Sequence, residues 1–264
     1  MKQFCVFGNP IFHSKSPLIH NAVFSEFGDE IGFSGYYGRY LLQDGMNLRK
    51  TFFELGLYGA NITIPFKEDA FNQSDENRGI ASVVKSVNTL VLEGKKIIGY
   101  NTDAEGFYRT ISVNGFKSAV LLGAGGSAKA VAHILREKGI ELLVLNRSKK
   151  RLDSFVSDGF KCSLMEDFSP QPFDIVINAT PAGLKDENFP LDEDILKRTL
   201  SISKMAYDLI YGVQTPFLKL AQKLGIDFKD GKDMLIEQAV LAFELFCDKK
   251  ISADKIRKQM KLVL

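Results

Sequence analysis

The segment from Val120 to Arg151, VLLGAGGSAKAVAHILREKGIELLVLNRSKKR, constrains the fold of this chain more than any other segment. It reads as a buried strand, a glycine-rich turn, an amphipathic helix, a second strand and a basic tail. Gly123 allows a tight turn, Gly125 lets the backbone approach a pyrophosphate, and Ala128 keeps helix and strand close, while the helix N-terminus offers N–H groups to an anion. Because the flanking elements accompany the glycine fingerprint, we expect a dinucleotide site here. Its residues are Gly123, Ala124, Gly125, Gly126, Ser127 and Ala128.

The residues that follow the second strand bear on which dinucleotide binds. An NAD site usually ends this strand in Asp or Glu, which accepts a hydrogen bond from the ribose 2′-OH. This chain instead has Asn146, Arg147 and Ser148, followed by a basic run that ends at Arg151. Guanidinium groups without a carboxylate suit a 2′-phosphate, so the sequence predicts NADP. A solvated basic turn at the start of a helix is the alternative.

Composition excludes several other classes of protein. The 264 residues allow one large domain or two smaller ones, and 45% hydrophobic with 25% charged residues is ordinary for a globular protein. A net charge of +2 argues against a nucleic-acid partner, and no apolar run approaches the ~20 residues that a membrane span needs. The three cysteines form no CxxC and the three histidines lack metal spacing, so neither disulfide nor metal is expected. We expect a cytoplasmic monomer or homodimer whose partner is a small-molecule substrate.

Alternating strand and helix patterns along the whole chain predict two α/β domains. In the first half, strands are predicted near 3–7, 33–39, 59–64 and 87–92, and helices near 16–27, 46–55 and 66–77. The turn Glu93-Gly94-Lys95 suggests a hairpin, so this mostly parallel sheet is expected to be mixed. A helix near 104–114 follows, and then strands near 119–122, 141–145, 174–178 and 204–208 in the order of a Rossmann-type fold.

Two helices near 232–247 and 252–263 close the chain, and the first is apolar nearly all round. Such a helix should be buried, and we expect it to pack back on the first domain. The predicted division is therefore a substrate-binding and catalytic domain at 1–103, completed by 233–264, and an NADP-binding domain at 104–232.

Two serines follow the first predicted strand, where an α/β sheet binds its ligands. Ser16 precedes Pro17, which is typical of a helix N-cap with proline in the first turn. Capping does not explain Ser14. Two hydroxyls at a helix start could also form a neutral site for a carboxylate.

Asn61 and Thr63 alternate onto one face of the third predicted strand. Pro65 then predicts a helix start, which places Lys67 in the first turn, where the helix dipole disfavours a cation. Lys67 is either a solvated surface residue or a lysine whose pKa is lowered toward a range useful for proton transfer.

Three further polar residues stand in or beside buried-looking segments. Thr102 and Glu105 fit a capping box, which leaves Asp103 free to face a ligand. Asn88 and Gln238 lie within apolar runs, and Gln238 is either a satisfied core amide or a ligand contact.

Motifs along nearly the whole chain resemble those of the shikimate dehydrogenases. In the first half they are Gly8-Asn9-Pro10, His13-Ser14-Lys15-Ser16-Pro17, Asn61-Ile62-Thr63-Ile64-Pro65-Phe66-Lys67, Ser86-Val87-Asn88-Thr89 and Gly99-Tyr100-Asn101-Thr102-Asp103. In the second half they are the glycine fingerprint, Asn146-Arg147-Ser148, Asn178-Ala179-Thr180, Tyr207-Asp208-Leu209-Ile210-Tyr211, Thr215-Pro216-Phe217 and Met234-Leu235-Ile236-Glu237-Gln238. The chain departs from the family pattern in lacking a proline two residues after Tyr211 and in having Pro181 after Thr180.

The resemblance implies NADPH-dependent, reversible reduction of 3-dehydroshikimate to shikimate in the biosynthesis of chorismate and the aromatic amino acids. It implies that Lys67 and Asp103 form the catalytic pair and that Ser14 and Ser16 hold the substrate carboxylate. The implied contacts to the rest of the substrate are Asn61, Thr63, Asn88, Asp103, Gln238 and Tyr211, and Thr180 is an implied cofactor contact.

The sequence leaves two alternative functions open. One is a quinate/shikimate dehydrogenase that prefers NAD. Such enzymes often have Thr at the position of Ser16, and the pair Arg147 and Arg151 favours NADP, so these residues argue against it. The other is a non-catalytic NADP-sensing module, which would not need the Lys67 and Asp103 pair.

Overall fold

A computed structural model describes residues 1–264 of the chain, which form two compact units. The first unit comprises Met1–Gly106 and Ile236–Leu264, and the second comprises Phe107–Leu235. No helix in either unit combines the length and the apolar character that crossing a lipid bilayer would require.

The first unit contains a six-stranded mixed sheet. Its elements in chain order are β1 (Lys2–Gly8), α1 (Ser16–Ile31), β2 (Gly35–Leu41), α2 (Leu48–Glu54), β3 (Leu57–Ile62), α3 (Lys67–Gln73), β4 (Glu76–Asn77), α4 (Ile80–Val84), β5 (Thr89–Glu93) and β6 (Lys96–Tyr100). The strand order is β2-β1-β3-β5-β6-β4, and β5 runs antiparallel to both neighbours. The predicted hairpin is confirmed, with Glu93 opposite Lys96 and Gly94 at a φ of 61° in the turn.

The second unit contains a six-stranded parallel sheet. After α5 (Asp103–Ile111) its elements are β7 (Ser118–Leu122), α6 (Gly126–Glu137), β8 (Glu141–Asn146), α7 (Lys149–Ser157), β9 (Lys161–Leu164), β10 (Ile175–Asn178), α8 (Glu193–Ser201), β11 (Met205–Asp208), α9 (Pro216–Leu224) and β12 (Asp227–Lys229). The order β12-β11-β10-β7-β8-β9 is that of a doubly wound dinucleotide-binding sheet. The predicted fold class of two α/β domains is confirmed.

Several predicted boundaries in the first unit were wrong. The third strand ends at Ile62 rather than at residue 64, and the helix predicted to reach residue 77 ends at Gln73, because Ser74 is extended and leads into β4. The short strands β4, β9 and β12 and the short helix α4 were missed. The three strands lie at sheet edges, where pairing with a distant strand rather than local pattern decides the structure.

The closing helices α10 (Lys232–Phe246) and α11 (Ala253–Leu262) supply much of the core of the first unit. Phe243 and Phe246 of α10 and Ile256 of α11 belong to one buried cluster with Phe4 and Phe24. The predicted packing of a C-terminal helix on the first domain is therefore confirmed, and the apolar circumference of α10 explains it.

One histidine is buried in this same core without a polar partner. His20 is 1% exposed, its ring stacks on Tyr37 at a centroid distance of 4.4 Å, and neither ring nitrogen has a hydrogen-bond partner. Burial lowers the pKa of His20 to about 3, so the imidazole is neutral in the folded protein at ordinary pH. The unfolded chain takes up a proton near pH 6.5, whereas the folded chain does not.

We expect the free energy of unfolding to fall as the pH is lowered below 6.5, because the unfolded state then binds more protons. The contribution of His20 between pH 7 and pH 5 should be about 2 kcal/mol. Urea unfolding at several pH values measures this slope. His20→Phe keeps the aromatic stack and should reduce the slope without abolishing it, since burial also lowers the pKa of His133. An unchanged slope in His20→Phe would contradict the assignment.

Candidate active site

The serine pair, Ser14 and Ser16, lies in the loop and first helical residue after β1. The prediction that Ser16 caps α1 was wrong, because Lys15 already has helical dihedral angles, occupies the N-cap and makes no side-chain capping bond. Ser14 Oγ instead accepts a hydrogen bond from the Ser16 N–H at 3.3 Å and lies 3.2 Å from Ser16 Oγ. Arg39 of β2 donates two hydrogen bonds to the Ser14 carbonyl, which orients this loop. The two hydroxyls are therefore adjacent, buried and held together.

Lys67 and Asp103 form an ion pair. Lys67 is the first residue of α3 and Asp103 is the first residue of α5, and Lys67 Nζ donates to Asp103 Oδ2 at 2.5 Å. The side chains are only 14% and 11% exposed, so the pair is screened from solvent far more than a surface ion pair. The Asp103 carboxylate stabilises the Lys67 ammonium at the N-terminus of α3, where the helix dipole disfavours positive charge.

Asn88 connects Asp103 to its surroundings. Its amide nitrogen donates to Asp103 Oδ1 and to Thr102 Oγ1, both at 2.9 Å. Its amide oxygen accepts from the Thr102 N–H at 2.8 Å and from Thr89 Oγ1 at 3.0 Å. Asn101 Oδ1 accepts from the Asp103 N–H at 3.1 Å, which fixes the start of α5. The Asp103 carboxylate is thus oriented from both of its oxygens.

Asn61 lies in β3 and continues the same network. Its amide nitrogen donates to Thr89 Oγ1 at 3.0 Å, and its oxygen accepts from the Tyr37 hydroxyl at 2.6 Å. Thr63 lies beyond the end of β3 and is half-buried, with its N–H donating to the Phe7 carbonyl at 2.9 Å. The predicted placement of Thr63 inside the strand was therefore wrong, although backbone pairing continues to that residue.

Sequence reasoning did not identify Tyr37, Thr89, Arg39 or Asn101 as members of this site. Tyr37 lies in a strand that also contains the exposed residues Tyr36 and Tyr40, and no local pattern distinguishes the buried tyrosine from its neighbours.

Gln238 reaches the network from α10. Its side-chain oxygen is 3.4 Å from the amide nitrogen of Asn88. Gly106 of α5 permits this approach, because a Cβ at that position would lie 2.7 Å from the Gln238 backbone nitrogen and 2.9 Å from its Cα. The close contact between α5 and α10 thus depends on the absence of a side chain at Gly106.

In the second unit, the glycine fingerprint forms the turn from β7 into α6. Gly123 has a φ of 111°, and a Cβ there would lie 3.0 Å from the Ala179 carbonyl oxygen. Gly125 is the N-cap of α6 and no atom lies within 4 Å of the position its Cβ would take, while Gly126 is exposed as the first helical residue. Ala128 is fully buried. The turn thus leaves an open, amide-lined approach to the N-terminus of a 12-residue helix. Ala124 and Ser127 within it are half-buried.

Asn146 ends β8 and is buried, with its amide nitrogen donating to the Ser148 carbonyl at 3.0 Å. Ser148 is the N-cap of α7. Arg147 and Arg151 are exposed and form no ion pair with a carboxylate of this chain. Arg147 directly follows the strand end where a dinucleotide ribose is expected, and Arg151 lies in the first turn of the helix after it.

The carboxyl ends of β10 and β11 are tied together by buried polar groups. Thr180 Oγ1 donates to Asn178 Oδ1 at 2.7 Å, Asn178 Nδ2 donates to Asp208 Oδ1 at 3.0 Å, and Thr215 Oγ1 donates to Asp208 Oδ2 at 2.6 Å. Burial raises the pKa of Asp208. Tyr211 follows in the loop after β11, and burial raises the pKa of its phenol, which stays protonated.

Comparison with known protein families finds two matches. Residues 6–90 match the family described as "Shikimate dehydrogenase substrate binding domain", and residues 231–261 match "Shikimate 5'-dehydrogenase C-terminal domain".

Individual relatives match over nearly the whole chain. The shikimate dehydrogenase (NADP(+)) of Helicobacter hepaticus is 52% identical over 97% of this chain and 95% of that protein. The shikimate dehydrogenase (NADP(+)) of Helicobacter acinonychis is 50% identical over 100% of this chain and 99% of that protein. Among solved structures, the shikimate 5-dehydrogenase of Thermus thermophilus in complex with NADP(H) and shikimate superposes with a TM-score of 0.84, at 30% identity and 100% coverage of both chains.

Gly106→Ala should lower the free energy of unfolding by about 1–3 kcal/mol, because the added methyl group overlaps helix backbone that cannot rotate away. Gly28→Ala within α1 is a matched control, since a Cβ there meets only the Phe33 carbonyl oxygen at an ordinary 3.7 Å. This control should gain about 0.5–1 kcal/mol from the better helix propensity of alanine. Urea unfolding of both variants distinguishes them, and a stabilised Gly106→Ala would show that α5 and α10 are not in close contact.

Proposed function

Because this chain belongs to the shikimate dehydrogenase family, we propose that it reduces 3-dehydroshikimate to shikimate with NADPH, reversibly, in the biosynthesis of chorismate and the aromatic amino acids. It is an NADP-dependent oxidoreductase that acts on a CH–OH group and interconverts shikimate and 3-dehydroshikimate. The observation that carries the proposal within this chain is the shielded Lys67 and Asp103 ion pair at the end of a network of buried polar side chains.

The proposed division of labour assigns the substrate to residues 1–103 with 233–264 and NADP to residues 104–232. The serine pair would bind the substrate carboxylate, because two adjacent hydroxyls can each donate one hydrogen bond. The proposed contacts to the ring hydroxyls are Asn61, Thr63, Asn88, Asp103 and Gln238, with Tyr211 as a further substrate contact. Hydrogen bonds that already connect Asn61, Asn88 and Asp103 support this grouping.

The proposed chemistry is proton transfer at the oxygen of the ring carbonyl group. NADPH, when bound, supplies the hydride for the ring carbonyl carbon. Lys67 would donate an Nζ proton to that oxygen as negative charge develops on it, and would take the proton back in the oxidation direction. Asp103 would hold the Lys67 ammonium in place through the 2.5 Å hydrogen bond and would accept a hydrogen bond from a neighbouring ring hydroxyl.

The residues of the second unit are suited to NADP. The amide groups at the start of α6 can bind a pyrophosphate, and the open space at Gly125 leaves room for it. Arg147 and Arg151 would bind the 2′-phosphate, and Asn146 and Ser148 would line the same strand end. Thr180 would lie beside the cofactor through the loop that Asn178 orients.

The proposal is tested by mixing the purified protein with shikimate and either NADP+ or NAD+ and following the absorbance of reduced nicotinamide. NADP+ should be reduced far faster than NAD+, and quinate should replace shikimate poorly. Absence of turnover with shikimate and NADP+ would overturn the proposed function, and a higher rate with NAD+ than with NADP+ would favour the NAD-preferring alternative.

Lys67→Ala should lower kcat by about 10²- to 10⁴-fold, the usual contribution of general acid–base catalysis, with KM for shikimate changed only a few-fold. Steady-state kinetics with both substrates measures this. Lys50→Ala is the matched control, because Lys50 forms an exposed ion pair with Glu54 at 3.7 Å in the same unit. The control should retain full activity. A Lys67→Ala loss confined to KM would assign Lys67 to uniform substrate binding instead.

Arg147→Ala should raise KM for NADP+ by about tenfold, since a charge-assisted hydrogen bond of about 1.5 kcal/mol is lost. KM for NAD+, which lacks the 2′-phosphate, should change little. Arg198→Ala on α8 removes the same charge from an exposed position and should leave both values unchanged. Equal effects of Arg147→Ala on both cofactors would show that Arg147 does not contact the 2′-phosphate.

A further inference from the structure

Tyr37 is a fully buried tyrosine whose position is fixed from several sides. Its backbone N–H donates to Asn21 Oδ1 at 2.8 Å, and Asn21 Nδ2 donates back to the Tyr37 carbonyl at 2.9 Å. Its ring stacks on His20 with an interplanar angle of 6°. The phenol therefore has little freedom to rotate or to shift, and its hydroxyl occupies a defined place.

The direction of the hydrogen bond between Tyr37 and Asn61 follows from their neighbours. The Asn61 amide nitrogen faces the Asn88 carbonyl oxygen at 3.3 Å, which can only accept a hydrogen bond. The Asn61 amide oxygen must then face Tyr37, and the phenol donates to it at 2.6 Å. Burial holds the pKa of Tyr37 well above its usual value, so the phenol keeps this proton at every ordinary pH.

Tyr37 connects through Asn61 to the polar side chains around Asp103. Asn61 donates to Thr89 Oγ1 at 3.0 Å, and Thr89 donates to Asn88 Oδ1 at 3.0 Å. The amide nitrogen of Asn88 then donates to Asp103 Oδ1 at 2.9 Å.

We propose that Tyr37 is a positioning residue for the substrate, which holds the Asn61 amide in the orientation that contacts a ring hydroxyl of the ligand. This inference rests on the proposed function. Without the phenol hydroxyl, Asn61 Oδ1 loses its donor, and the Asn61 side chain is oriented only by the two contacts of its amide nitrogen. Substrate affinity then falls, whereas the Lys67 and Asp103 pair and the NADP site keep their contacts.

The test compares Tyr37→Phe with Tyr207→Phe. Tyr207 is also fully buried and its hydroxyl lies 3.0 Å from Thr110 Oγ1, so both variants lose one buried phenol hydroxyl, but Tyr207 belongs to the second unit. Tyr37→Phe should raise KM and Kd for shikimate by about five- to tenfold, with kcat and KM for NADP+ changed less than about twofold. Tyr207→Phe should leave KM for shikimate unchanged.

A double variant tests whether Tyr37 acts through Asn61. If it does, Asn61→Ala combined with Tyr37→Phe should raise KM for shikimate by less than the product of the two single effects. All variants are assayed well below the melting temperature of the least stable one. Shikimate binding is scored in addition by the ligand-induced rise in Tm, which a destabilised variant still reports.

Three results would overturn the inference. These are a KM for shikimate in Tyr37→Phe equal to that of Tyr207→Phe, a loss wholly in kcat, and single effects that multiply in the double variant. Failure of the wild-type protein to bind shikimate would overturn the proposed function together with this inference, whereas wild-type binding that Tyr37→Phe leaves intact would overturn the inference alone.

Discussion

The largely buried ion pair between Lys67 and Asp103 is the interaction on which the rest of the site depends. A partly desolvated charge is costly unless its partner and its remaining hydrogen bonds are well placed, and here Asn88 donates to the second oxygen of Asp103. Sheet topology makes this possible. Asn61 pairs with Thr89 and Thr89 pairs with Tyr100. The end of β3, the start of β5 and the end of β6 therefore lie side by side at the same end of these strands. Three segments distant in sequence thereby deliver their polar side chains to one place.

Under the proposed function, the two units would bind anions in different ways. The serine pair in the first unit offers neutral donors, which cost less to bury than a cation and would suit a carboxylate held among packed side chains. Arg147 and Arg151 in the second unit are exposed, so they would stay hydrated until the proposed 2′-phosphate displaced water. The buried carboxylate of Asp208 has a structural role instead. It accepts hydrogen bonds from Asn178, Thr215 and a backbone N–H, and these bonds join two loops.

How much of this could be predicted from the sequence depends on whether the cause is local. The turn after β7 was predictable because a positive φ at Gly123 and the close helix at Ala128 are local requirements. Lys67, Asn88 and Asp103 were predictable as candidate site residues because each is polar or charged at a position where the local pattern does not explain it. Ser16 was wrongly predicted to be the N-cap of α1. The N-cap is Lys15, because its backbone dihedral angles, and not the hydroxyl of Ser16, set the start of the helix. Tyr37 was missed because its contacts with Asn21, His20 and Asn61 form only after folding.

The hydrogen bonds between Tyr37 and Asp103 form a chain in which every donor faces the same way. From Tyr37 onward, each side chain donates toward Asp103, through Asn61, Thr89 and Asn88. Asp103 accepts from Asn88 on one oxygen and from Lys67 on the other, so the carboxylate is surrounded by donors. Both oxygens of Asp103 are therefore fixed by donors from other segments of the chain. Under the proposed function, Asp103 would orient Lys67, which is the group proposed to exchange a proton with the substrate.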